Sequence, residues 1–86
     1  MKIIWDEPKR IANLEKHEMN FADLNETFFD TAIVLPSHKN RYRAIGVNIR
    51  GVIVVVFAAY GNEAYSIISM RPARRDERKY YEENRR

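Results

Sequence analysis

RYRAIGVNIRGVIVVVFAAYGNEAYSIISM, residues 41–70, decides the fold. Three stretches within it, Arg41 to Asn48, Val52 to Tyr60 and Ala64 to Met70, are rich in β-branched and aromatic residues, the composition of extended strands. They are separated by Asn48-Ile49-Arg50-Gly51 and Gly61-Asn62-Glu63, whose Gly and Asn residues accept the positive φ of tight turns. An antiparallel meander is expected. The most apolar stretch, Val52 to Tyr60, is about half the length a membrane-spanning helix needs, and it reads as a buried strand.

Working outward from the meander, Ala32 to Leu35 reads as a further strand, joined to Arg41 by the looser loop Pro36 to Asn40. Near the N-terminus, Lys2 to Trp5 forms a short strand, and Asp6 can cap a helix that carries Pro8 in its first turn and runs to about His17. Helical spacing puts Ile11, Leu14 and Met19 on its apolar side. Asn20 then caps a second helix, Phe21 to Phe29, with Phe21, Leu24 and Phe28 as its stripe. Downstream, Pro72 ends the last strand and opens a third helix, Ala73 to about Asn84, and Asn84 to Arg86 are expected to fray. The order β-α-α-β-β-β-β-α predicts a single α+β domain over 1–86. Helices cover one face of an antiparallel sheet, and the other face is free for function.

Composition narrows the function classes. An 86-residue chain with 45% hydrophobic and 31% charged residues builds one modest core. The absence of cysteine removes disulfides, thiolate zinc sites and cysteine nucleophiles together. His17 and His38 lie in different segments without metal-ligand spacing, so neither a metal nor another cofactor is expected. Asp6 and Glu7 interrupt the N-terminal apolar residues at once, which argues against an export signal and for a cytoplasmic protein with no membrane association. Charge is uneven: residues 1–35 hold four Lys/Arg against seven Asp/Glu, whereas 36–86 hold eleven against five. The basic part suits the phosphates of RNA or DNA, and it equally suits an acidic partner protein.

Trp5-Asp6-Glu7, then Lys9, Asn13, Lys16-His17 and Phe21, followed by Phe28 and Asp30, resembles the pattern of the BrnT family. Downstream, Arg41 or Arg43 with Gly46, the run Ile68-Ser69-Met70-Arg71, and Glu77 with Tyr81 continue that likeness over nearly the whole chain. The resemblance implies a RelE-like fold and the toxin of a type II toxin–antitoxin system, a metal-independent endoribonuclease that cleaves RNA and inhibits translation. It further implies neutralisation by a BrnA-like antitoxin of ribbon-helix-helix type, with operator DNA reached only through that antitoxin. Three departures stand out. Glu18 replaces the glycine after Lys-His, so the helix is expected to continue or to cap differently there. Ser66 stands where the family has an Arg, and Ala58 and Tyr60 stand where it often has Thr and a second Arg.

Cutting RNA without a metal requires a group that takes the 2′-hydroxyl proton, cations that stabilise the phosphorane, and an acid for the leaving 5′-oxygen. His17 is the candidate general acid or base, because imidazole titrates near neutrality; the alternative is a solvent-facing or structural histidine at a helix end. Lys9 and Lys16 either hold phosphates or are solvated. Arg71 offers a planar grip on phosphate, or pairs with Glu77 or Asp76. Arg41 and Arg43, two residues apart, project to one side of their strand as candidate RNA contacts. Glu77 and Tyr81, four apart on a helix, either serve the same site, Glu77 in catalysis and Tyr81 on RNA, or pack together. Tyr60 and Tyr65 are either base-stacking residues or cross-strand partners. Two other functions fit the same residues: a catalytically weakened toxin-fold protein that binds a partner or regulates its operon, and an interaction domain for an acidic protein.

Overall fold

A computed structural model describes residues 1–85, and Arg86 lies outside them. Five strands and three helices alternate as β1 (Lys2–Trp5), α1 (Glu7–His17), α2 (Glu26–Thr31), β2 (Ile33–Pro36), β3 (Arg41–Asn48), β4 (Gly51–Tyr60), β5 (Ala64–Pro72) and α3 (Arg75–Asn84). A 3-10 turn, Phe21–Asp23, precedes α2. The strands form one sheet in the order β1-β5-β4-β3-β2.

The meander β2 to β5 is antiparallel as expected, but β1 lies parallel to β5, so the sheet is mixed. Tight turns fix the direction of consecutive strands only. β1 and β5 are separated by most of the chain, and no local signal sets how they pair.

The second helix is broken in two. Asn20 accepts a hydrogen bond from Ala22 N, and five residues later the Asn25 side chain accepts one from Phe28 N, opening a new helix after the extended Leu24. Two competing caps outweigh one continuous apolar stripe. The stripe is nevertheless buried. Phe21, Leu24, Phe28 and Phe29 pack with Ala44, Ile53, Val55, Phe57, Ile67 and Met70, and Trp5 meets Phe21 edge to face at 6.2 Å. Gly46 belongs to this contact, since a Cβ there would stand 2.9 Å from Phe28 Cε1.

Helix α1 departs from its expected packing. Ile11 and Leu14 are 47% and 38% exposed, while Asn13 is buried. The cause is the shortness of β1, which pairs only with Ala64 to Ile67 and leaves that edge of β5 without a strand from Ile68 onward. Asn13 fills the gap: its Oδ1 accepts from Met70 N at 3.0 Å, and its Nδ2 donates to Met70 O at 2.9 Å and to Met19 O at 3.1 Å. One side-chain amide thus replaces a strand's peptide group, and neither Met70 backbone group is left unpaired. Helix α1 also ends at His17 after all. Glu18 takes the left-handed conformation (φ 56°) that glycine usually supplies, and its N–H bonds Leu14 O.

Helices lie on both faces of the sheet, a second correction. Tyr81 and Ala73 pack over Ile45 and Val54, with Ile33, Leu35 and Val52 beside them, on the face opposite the aromatic core. Helix α3 spans only ten residues, however, and covers one end of that face. The rest is open.

Candidate active face of the sheet

Strand alternation and register define the open surface. Arg41 pairs with Ala58, Arg43 with Val56, Val56 with Ser69, Ala58 with Ser66, and Tyr60 with Ala64, all on the side away from the aromatic core. Lys2 and Ile4 of β1 continue the row beside Ala64 and Ser66. The floor is therefore small or aliphatic, and the strand residues that carry charge, Lys2, Arg41, Arg43 and Arg71, are all cations. A β-bulge between Val56 and Phe57 places Ile68 as an extra residue on β5. Such bulges re-aim side chains at sheet edges.

At that edge, Lys9, Asn13, Lys16 and His17 of α1 line a shallow depression together with Ile68 and Ser69. The Asn13 clamp sets this geometry, because it fixes α1 against β5 one residue from Ser69. His17 is half-buried. Its pKa lies below the ordinary 6.5, first through burial and then through the positive charges of Lys16 and Arg71. The imidazole is neutral at pH 7 and able to accept a proton.

Beside this depression, at the β5 residue that follows the clamped Met70, stands an ion-pair cluster. Arg71 Nη1 and Nη2 donate to the two Glu77 carboxylate oxygens at 2.7 and 2.8 Å, and Arg43 Nη1 donates to Oε2 at 3.3 Å. Arg74 N also donates to Oε1 at 2.8 Å, Glu77 being the third residue of α3 and reaching back to its cap. Glu77 is only 5% exposed, yet its pKa is lowered to about 2: the Arg71 hydrogen bonds outweigh the cost of burial, and the Arg74 N–H adds to them. The carboxylate is ionised at any working pH and has no proton to give. The one carboxylate holds the guanidinium groups of Arg71 and Arg43 at the rim.

The structure thus gathers Lys9, Lys16, His17, Arg41, Arg43, Arg71 and Glu77 around one surface. Tyr81 is not among them. It is 5% exposed and sits in the small core under α3, so the expectation that it touches RNA is corrected in favour of packing. Tyr65 likewise belongs to the opposite face, packed edge to face with Phe29 and tilted against Phe57. The sequence reading gave no role to three participants, Lys2, Ser69 and the buried Asn13, the last two entering it only as residues of the family pattern. Alternation from Trp5, whose ring faces the core, was the available signal for Lys2; for Asn13 that pattern was the signal, since a polar residue at a helix centre ordinarily faces water. Among the described residues, no three His, Cys, Asp or Glu side chains cluster as metal ligands, and no helix is long and apolar enough to cross a membrane.

Comparison with known proteins bears on the same features. Residues 5–77 match the family described as "Ribonuclease toxin, BrnT, of type II toxin-antitoxin system". The chain is also similar to the crystal structure of the Brucella abortus ribonuclease toxin BrnT, with 50% identity and a TM-score of 0.82, over 87% of this chain and 99% of that one. No curated protein matches.

Proposed function

Since the chain belongs to the BrnT family of ribonuclease toxins of type II toxin–antitoxin systems, we propose that it cleaves RNA as a metal-independent endoribonuclease on the open face of its sheet. One observation carries this reading: a neutral His17 set among Lys9, Lys16 and Arg71 at the border of a face whose strands carry only positive charge.

In this mechanism His17 takes the proton from a 2′-hydroxyl. The 2′-oxygen forms a bond to phosphorus, and the bond from phosphorus to the 5′-oxygen breaks, leaving a 2′,3′-cyclic phosphate and a 5′-hydroxyl. Lys9, Lys16 and Arg71 stabilise the charge that grows on the phosphorane oxygens. Ionised Glu77 is a positioning residue that orients Arg71 and Arg43. The proton for the leaving oxygen therefore comes from a lysine ammonium or from water. Arg41 and Arg43 draw the backbone across the floor. The products stop translation in the cytoplasm, and a BrnA-like ribbon-helix-helix antitoxin restrains the activity by covering this face and links it to operator DNA.

The test is cleavage of a messenger RNA in excess chelator by wild-type protein and folded His17→Ala. Cutting that falls at least 100-fold in the variant supports the mechanism. Because the His17 pKa lies below 6.5, the wild-type rate is expected to stay level at pH 7 and to decline only as the imidazole protonates below that value. A specific observation favours a second reading. Ser66, Ala58 and Tyr60, which replace polar or cationic family residues, all fall on this same face, as in a weakened enzyme that serves as an antitoxin-binding regulator. Absence of cutting by the wild-type protein, with tight antitoxin binding retained, favours that alternative.

A further inference from the structure

Tyr60 is the most exposed aromatic side chain, at 69%, and no packing partner accounts for it. It stands at the end of β4 on the open face. Its cross-strand partner is Ala64, and the next residues on that face are Ala58 and Ser66. All three are small, so no neighbour on β4 or β5 rises to the height of the phenol ring, and one side of the ring is open along these two strands. On the neighbouring strand, Arg41 pairs with Ala58 and so lies diagonally next to Tyr60, while Lys2 pairs with Ala64 from the other direction. The ring is thus flanked by two cations about one strand spacing to either side of the β4–β5 pair.

An exposed aromatic between backbone-binding cations is the arrangement that single-stranded nucleic acids recognise: phosphates pair with the cations while a base lies against the ring. We propose that Tyr60, with Ala58, Ala64 and Ser66 as its floor, forms a stacking subsite for an unpaired nucleobase of the RNA that crosses this face. The proposal rests on the ribonuclease reading and adds a base-contacting position to it. A tyrosine is sequence-tolerant in this role, because every base presents a π-face.

The experiment is equilibrium binding of a 2′-O-methyl oligouridylate 12-mer, which cannot be cut, to wild-type protein, Tyr60→Ala, Tyr60→Phe, Tyr60→Trp and Arg41→Ala, with a matching abasic oligomer as control. Thermal melts check that each variant folds. Tyr60→Ala is expected to weaken binding by about 5- to 100-fold, with Phe and Trp retaining it, since stacking needs the ring and not the hydroxyl. The abasic oligomer is expected to bind wild type and Tyr60→Ala alike. Arg41→Ala should instead reduce the salt dependence by about 0.7 in the log–log slope, which Tyr60→Ala leaves unchanged. Binding by Tyr60→Ala equal to wild type, while Arg41→Ala is impaired, overturns the stacking subsite and leaves the RNA-binding face standing. Loss by Tyr60→Ala of antitoxin binding alone also overturns it, assigning the ring to the protein partner. If the wild-type protein binds neither oligomer, the ribonuclease reading fails with it.

Discussion

The two faces of the central sheet are built from the same strands and differ in what stands above them. On one face, Ala44, Ile53, Val55, Phe57, Ile67 and Met70 meet Phe21, Phe28 and Phe29, and aromatic edges close the space. On the other, Val56, Ala58, Ser66 and Ser69 have no such cover, and long cations ring them, Lys2 and Arg41 exposed to water and Arg43 and Arg71 tied to Glu77. Short helix α3 separates the two regimes, shielding Ile45 and Val54 and ending its cover at the Arg71–Glu77 cluster. Stability is concentrated on the first face, and the second is left free to bind.

The contrast is most directly broken by Phe21→Ala. Phe21 is fully buried, so the substitution should cost about 3–5 kcal/mol and lower the melting temperature by at least roughly 12 °C, whereas Tyr60→Ala on the open face should stay within about 0.5 kcal/mol of wild type. Equal losses in the two melts contradict the division of labour.

The Glu77 cluster sharpens the comparison, because there charged groups at the rim of the open face contribute to stability. The folded carboxyl's pKa of about 2 lies below its ordinary 4.5, so the contribution is complete above pH 4.5 and is lost as the pH falls towards 2; it amounts to roughly 3 kcal/mol. Denaturant melts across that window should show a steep loss for wild type. Glu77→Gln, already destabilised at pH 7, should show a shallower one.

The smallest effect is expected at the end of α1. Glu18→Gly relieves a left-handed side chain and adds entropy to the unfolded chain, for a net gain of up to about 1 kcal/mol, or a few degrees in a thermal melt. Since Glu18 adjoins His17, RNA cleavage by this variant should be unchanged if the backbone already holds the glycine-like conformation.

Much of this was legible beforehand. The β-branched and aromatic composition of Arg41 to Met70 announced the meander, its turns carried the Gly and Asn that tight hairpins need, and the ordered motifs from Trp5 to Arg71 indicated the family and the cationic candidates. Their spacing of two put Arg41 and Arg43 on one side. These are local properties, set by steric preferences of neighbouring residues and by a period of two.

Contacts between distant segments were decided only in three dimensions. β1 pairs parallel with β5, Asn13 reaches Met70 across 57 positions, and Arg43 shares Glu77 with Arg71. Each depends on a vacancy or a charge supplied by another part of the chain, an unpaired strand edge for Asn13 and two cations for Glu77, just as Tyr81 of α3 is buried only because the sheet presents Ile45 and Val54 to it. Residue type and spacing determined which groups were available to the site, while the free energy of satisfying buried polar groups and filling the core determined which of them turned outward to the open face.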